Sequence, residues 1–162
     1  MDELDKEHVF LYSGVSTDSR AAEGVGCLMR ASYMSYVKNW KFISQRNLKI
    51  EITLDNSEVT TILVTYGPND DEPLKVKEEY WEELNDAIKN VKGRIVILGD
   101  MNSRVGKRDD DNIDILGMQG EDTRNDNGRR MIDFCMENNW IITNTFFEHK
   151  DIHKFTRSQE QK

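Results

Sequence analysis

The sequence has few cysteines, no long apolar run and no excess of basic residues, and each lack excludes a class of protein. Cys27 and Cys135 are its two cysteines, and they form neither a CxxC motif nor a secreted disulfide pattern. No stretch approaches the roughly 18 apolar residues of a membrane span. The acidic start MDELDKEH is not typical of a signal peptide. We therefore expect an intracellular protein, nuclear or cytoplasmic, with two reduced core thiols and no membrane partner.

The formal net charge of −8 argues against a basic module that coats DNA, because an acidic chain is not attracted to a polyanion at long range. It does not exclude an enzyme that meets one phosphate through a metal ion, since the ion supplies the local positive charge. With 162 residues, 37% of them hydrophobic and 32% charged, the composition is typical of a soluble globular protein. We expect one domain over residues 1–162.

Alternating and apolar segments predict a mixed α/β protein. Residues 48–54 alternate apolar and polar side chains, which is the period of a strand with one wet face. Ala31–Trp40 stays ambiguous between a short helix and an edge segment. Residues 74–91 repeat apolar side chains at threes and fours, as a helix does. The predicted strands are 8–13, 24–29, 40–44, 48–54, 59–66, 95–98 and 140–144, and the predicted helices are 74–91 and 129–138.

A strand, a helix and another strand form a crossover unit over residues 59–98, so the two strands can be parallel. Tyr66 and Asp100 would then lie on the same rim of the sheet. The apolar run 95–98 is typical of a strand buried on both faces, and it ends in the polar tetrapeptide Gly99-Asp100-Met101-Asn102.

Chemistry is expected where that run ends. Asp100 can take a proton from water, and Asn102 can donate to an oxyanion. The alternative is an ordinary turn, because Gly, Asp and Asn are the residues that turns favour. Tyr66 alone is more often a half-buried aromatic than a catalytic group.

The second half of the chain contains a long polar segment, 103–125, expected to be a solvated loop. Its run from Asp110 to Glu121 nearly matches a calcium loop, but Ile115 stands where that loop needs glycine, so calcium is not expected. Asn125 or Asn127 is the predicted N-cap of the following helix. We expect residues 158–162 to be a disordered tail.

Five motifs then accumulate in order: YSG…GVGCLM, VTYGPND, ILGDMNSRVG, the segment from Asn125 that begins NDNGRR, and HKDIHKFT. The match to which they belong covers nearly all of residues 8–157. In this series the sequence resembles the endonuclease/exonuclease/phosphatase family, and within it the endonuclease domains of non-LTR retrotransposons and sequences related to craniofacial development protein 2.

The resemblance implies a fold similar to deoxyribonuclease I, a four-layer α/β/β/α sandwich, here partial, with Mg²⁺ as cofactor and DNA as partner. It implies that Asp100 orients or deprotonates the attacking water, that Asn102 holds a phosphate oxygen and that Tyr66 hydrogen-bonds the phosphate. RNA or a small phosphoester are alternative substrates.

The family's metal-binding Glu, its closing Asp residues and its final Ser-Asp-His have no counterpart in the sequence, which resembles a member truncated at both ends. We therefore expect little or no activity, since catalytic groups that act together are strongly non-additive. The alternative is a non-catalytic protein-interaction remnant, or an incomplete gene model. Strands missing from both ends would leave open sheet edges, so we also expect a protein partner that covers them.

Overall fold

Two β-sheets and two α-helices form the described part of the chain, which comprises residues 2–3, 7–14, 24–54 and 58–150 of a computed structural model. The chain divides into two units, Met1–Met101 and Asn102–Lys162. The predicted mixed α/β class is confirmed, and the single domain over 1–162 stays a prediction.

The first unit contains both sheets. One sheet is antiparallel, in the order β1 (Asp2–Glu3), β2 (His8–Gly14) and β3 (Gly24–Arg30). The other has the order β4 (Val37–Phe42), β5 (Asn47–Ile52), β6 (Thr60–Tyr66) and β7 (Arg94–Asp100). The ambiguous segment before β4 begins as a 3-10 helix, Ala31–Tyr36, and then becomes β4 itself.

The sheets pack face to face because alternate residues of their strands are apolar. Val9 and Leu11 of β2 pack with Leu48 and Ile50 of β5, and these four side chains are buried. Side chains from β3, β4 and β6 complete this inner core: Val25, Cys27, Met29, Val37, Trp40, Ile62 and Val64. The alternation therefore placed its apolar face correctly over 48–52, but the predicted strand 48–54 was too long, because Leu54 lies beyond β5 and is 46% exposed.

Helix α1 (Leu74–Ile88) covers the outer face of the four-stranded sheet. Its buried Tyr80 is hydrogen-bonded to Thr65 of β6, the two hydroxyl oxygens lying 2.9 Å apart. Asn47 of β5 donates to Glu83 of α1. The helix confirms the prediction for 74–91, although it ends at Ile88. As predicted for a crossover unit, β6 and β7 are parallel.

The prediction that residues 95–98 are buried on both faces was wrong, because β7 is the last strand of its sheet among the residues that the structure describes. Val96 is 42% exposed and Leu98 is 52% exposed. They are the register partners of Ile62 and Val64, so they lie on the inner face. An apolar run cannot distinguish a central strand from an edge strand.

The second unit is built around helix α2 (Asp126–Asn138), whose buried side chains include Ile132, Phe134 and Cys135. Of the two predicted N-cap candidates, Asn125 is the N-cap, and its side chain accepts a hydrogen bond from the Gly128 N–H at 2.8 Å. The helix ends at Asn139, which has a φ of +55°.

Two predictions for this unit were wrong. The segment 103–125 is not simply solvated, because Val105, Ile115 and Leu116 are buried. Residues 140–144 do not form a strand: Ile142 makes a single bridge to Leu116, and the 3-10 helix Thr143–Phe146 follows. The Thr145 hydroxyl donates to the Ile142 carbonyl at 2.6 Å, which closes a turn where the strand was expected.

Both cysteines are free thiols, Cys27 half-buried and Cys135 buried. Burial raises the pKa of the Cys135 thiol to about 11, so it is protonated at neutral pH. Neither described α-helix has the length and apolar character needed to cross a membrane. Residues 15–23, residues 55–57 and the residues from 151 onward, which include the predicted tail 158–162, lie outside the described part of the chain.

Candidate functional site

The carboxyl ends of β6 and β7 bring Tyr66 and Asp100 together. The two residues are register partners at the last pair of this parallel ladder. Just beyond it, the Gly67 N–H donates to the Asp100 carbonyl at 2.8 Å. We define the rim as Tyr66 and Asp100 at these strand ends, together with the loop of residues 67–73 that follows β6. Loops beyond the carboxyl ends of parallel strands commonly hold ligands, so the predicted placement is suited to binding.

Two glycines let the backbones approach closely at the rim. Gly99, just before Asp100, has a φ of +147°, and a Cβ there would overlap the Thr65 carbonyl oxygen of β6. A Cβ on Gly67 would overlap the Met101 carbonyl. Glycine is therefore required at both positions for structural reasons.

A buried arginine holds Tyr66 and its loop. The Arg46 guanidinium carbon lies 5.7 Å from the centre of the Tyr66 ring, and its Nη1 donates to the Tyr66 carbonyl at 3.4 Å. Its Nη2 lies 3.1 Å from both carboxylate oxygens of Glu72. Glu72 in turn accepts from the Asn69 N–H at 3.1 Å. Sequence analysis missed Arg46 and Glu72, because no pattern distinguishes them from the other charged residues of the chain.

Tyr80 lies beneath the rim. It is 4% exposed, it contacts Thr65 through its hydroxyl, and the hydroxyl also donates to the Met101 sulfur at 3.4 Å. Burial raises the pKa of Tyr80 to about 12, so its hydroxyl stays protonated and supports the rim as a neutral group.

In the second unit, Asn102 has a left-handed backbone with a φ of +47°. Its carbonyl accepts hydrogen bonds from the side chains of Asn125 at 3.4 Å and Asn127 at 3.2 Å. Asn125 also accepts from the Arg104 N–H at 3.0 Å. Asn125 and Asn127 therefore fix the backbone at Asn102 in addition to opening α2. That link joins residues more than twenty positions apart, so sequence patterns did not reveal it.

The segment that nearly matches a calcium loop, residues 110–121, makes contacts with other residues of the chain. Asn112 is 2% exposed, and its side chain accepts from the Asp109 N–H at 2.9 Å. Glu121 accepts from the Arg104 Nε at 2.8 Å. These two residues therefore stabilise the segment itself.

The donor set for Mg²⁺ can be tested against the described residues. Mg²⁺ takes oxygen ligands in octahedral geometry, often from one or two carboxylates with water and substrate phosphate. Over 2–3, 7–14, 24–54 and 58–150, no group of three or more His, Cys, Asp or Glu side chains is placed to hold a metal ion. Asp100 therefore belongs to no such group of three ligands among the described residues.

Comparison with known proteins shows one distant similarity. The chain is 25% identical over 159 residues to craniofacial development protein 2 of Bos taurus, a match that covers 96% of this chain and 26% of that protein. It is 37% identical over 62 residues to craniofacial development protein 2 of Tragulus javanicus, covering 38% of this chain and 10% of that protein. The chain thus spans about a quarter or less of the length of these relatives. No family model matches the sequence. No solved structure matches it either.

Proposed function

We propose that this chain is a divergent, retrotransposon-derived relative of the endonuclease/exonuclease/phosphatase family, whose rim faces a nucleic-acid phosphate and which has little or no phosphodiesterase activity as it stands. The observation that carries the proposal is the register pairing of Tyr66 with Asp100 at the ends of two parallel strands. The distant similarity to craniofacial development protein 2 is consistent with it.

The layer order in the first unit supports a fold similar to deoxyribonuclease I. Two sheets pack through Leu11 and Ile50, and α1 covers the outer face of the second sheet through Tyr80. We propose that this arrangement corresponds to three layers of the four-layer α/β/β/α sandwich.

In the proposed site each residue has one task. The Asp100 carboxylate orients a water molecule and accepts its proton, and the Tyr66 hydroxyl donates to a non-bridging phosphate oxygen. Asn102, two residues further along the chain, keeps its predicted role as a second donor to the phosphate.

Low activity follows from the charges that the rim offers. Attack on a phosphodiester requires the developing negative charge to be neutralised, and the Asp100 carboxylate adds negative charge instead. We propose that the chain does not hold Mg²⁺ tightly, because the described residues place no group of three or more His, Cys, Asp or Glu side chains to hold a metal ion.

The activity is tested by nicking of supercoiled plasmid in Mg²⁺. The wild-type protein and the Asp100→Ala variant should nick no faster than buffer. Nicking by the wild-type protein that disappears in the variant would overturn the proposal of low activity.

The phosphate-facing rim is tested separately, by fluorescence anisotropy of a labelled DNA duplex in low salt without divalent ions. Asp100→Asn should bind about fivefold more tightly than wild type, because a carboxylate about 4 Å from a phosphate costs about 1 kcal/mol even in water. Tyr66→Phe and Asn102→Ala should bind more weakly.

The matched control is Asp86→Asn, which removes one negative charge from an exposed position near the far end of α1. Equal affinities for Asp100→Asn and Asp86→Asn, or no binding by any variant, would refute the assignment of the rim to phosphate.

The open edge of β7 favours a second candidate function, a non-catalytic interaction module. Val96 and Leu98 leave apolar surface exposed on that strand, which is typical of surfaces that contact another chain.

A further inference from the structure

β7 has a neighbour on one side only within the described residues, β6. Two hydrogen bonds at the ends of β7 show which of its backbone N–H and C=O groups point towards β6. The Arg94 N–H donates to the Val59 carbonyl at 3.2 Å, and the Asp100 carbonyl accepts from Gly67 at 2.8 Å. Residues 94 and 100 therefore direct these groups towards β6. Backbone direction alternates along a strand, so Ile95, Ile97 and Gly99 direct their N–H and C=O groups to the open edge.

The strand is also self-complementary. When two copies of RIVILGD are aligned antiparallel about Ile97, Arg94 stands opposite Asp100 and Val96 stands opposite Leu98. Ile97 then stands opposite its own counterpart. The same alignment therefore pairs opposite charges at both ends and apolar side chains between them.

We propose that the open edge of β7 binds β7 of a second copy of this chain, so that two four-stranded sheets join into one. Ile97 exchanges both of its backbone hydrogen bonds with Ile97 of the second copy, and Ile95 exchanges them with Gly99, since these are the residues that face the edge. Val96 of each copy packs against Leu98 of the other on the inner face, which removes exposed apolar surface from water.

Charge complementarity favours a second copy over an unrelated strand. The Arg94 side chain is 79% exposed, and its ion pair with Glu58 has a long separation of 4.0 Å between two exposed groups, so Arg94 can change partner at little cost. Antiparallel pairing also brings Arg94 of the second copy to Asp100 at the rim. Because each chain contributes one short strand, we expect a weak dimer in dynamic exchange with the monomer.

The test is sedimentation of the full chain over a series of concentrations. Wild type should show reversible dimerisation. Arg94→Asp and Asp100→Arg should each weaken it about tenfold, since each change replaces two attractive pairs by repulsive ones. The double variant, which restores opposite charges in the reversed order, should recover wild-type association. Lys75→Asp, the same charge change at an exposed position on α1, should leave it unchanged.

A second variant tests the backbone pairing. Ile97→Pro removes an N–H that faces the open edge, so it should abolish dimerisation while the far-ultraviolet circular dichroism of the fold is retained. If this variant does not fold, the charge series decides alone. A wild-type monomer at every concentration, or single charge variants that dimerise as wild type does, would overturn the proposal.

Discussion

Arg46 and Glu72 form an ion pair that ties the start of β5 to the loop after β6, with one guanidinium nitrogen 3.1 Å from both carboxylate oxygens. Arg46 is 8% exposed, so its charge is largely removed from water. It also contacts Tyr66 through the ring face and the carbonyl. The ion pair therefore links the conformation of the rim to the stability of the first unit.

Glu72→Ala should destabilise the protein by about 2–3 kcal/mol, because it leaves the guanidinium of Arg46 without this carboxylate in a mostly buried position. The value is below the range for fully buried pairs, since the Glu72 side chain is 24% exposed. Urea unfolding followed by circular dichroism measures the change.

The control for this prediction is Glu79→Ala. Glu79 pairs with Lys75 on the surface of α1, where the two side chains are 62% and 83% exposed, so its loss should cost less than about 1 kcal/mol. Equal destabilisation by Glu72→Ala and Glu79→Ala would contradict the role assigned to Glu72.

Gly99→Ala should separate β7 from β6 at the rim. Its φ of +147° is strained for alanine, and the new Cβ would overlap a carbonyl oxygen of the neighbouring strand. We expect a loss of at least about 2 kcal/mol in unfolding free energy. At Gly14, a Cβ would meet nothing within 4 Å, so Gly14→Ala should be neutral or slightly stabilising. Similar melting temperatures for the two variants would show that the close approach at Gly99 is not required.

Asn125→Ala should destabilise the second unit by about 1–2 kcal/mol, because the side chain caps α2 and also accepts from the Arg104 N–H. Asn125→Asp keeps an oxygen acceptor for both N–H groups and should retain most of the stability. Thermal unfolding of the two variants compares them. Equal losses would indicate that the contribution of Asn125 lies in the amide that donates to Asn102 and not in its acceptor.

Stability should fall at high pH because of Tyr80. Its folded pKa is raised to about 12, above the unfolded value of about 10, so the stabilisation is complete below pH ~10 and is lost as pH rises through ~12. A shift of about 2 units corresponds to about 2–3 kcal/mol.

The measurement is urea unfolding of wild type and Tyr80→Phe at pH values between about 9 and about 12. As the pH rises over this range, the unfolding free energy of wild type should fall relative to that of Tyr80→Phe. Lysines and arginines that deprotonate in both proteins cancel in the comparison. A difference that is constant with pH would show that Tyr80 ionises as readily in the folded chain as in the unfolded one.

The pairing of strand ends at the rim could be predicted from the sequence, because it depends only on the direction in which the two strands run. A strand, a helix and a second strand predicted that Tyr66 and Asp100 end side by side, and the register pairs them. The partners that hold the rim were not predictable, because Arg46 and Glu72 are 26 positions apart and meet through side chains with no distinctive local pattern.

The sequence by itself determined the alternation that forms β5 and the apolar stripe of α1, and it limited the cap of α2 to Asn125 or Asn127, because each depends on side chains a few residues apart. Only the tertiary structure decided that β7 is an edge strand, that Ile142 continues into a turn and that Asn127 reaches back to Asn102. The physical reason is that strand position, burial and long-range hydrogen bonds depend on which distant segments come into contact. Local periodicity does not specify those contacts.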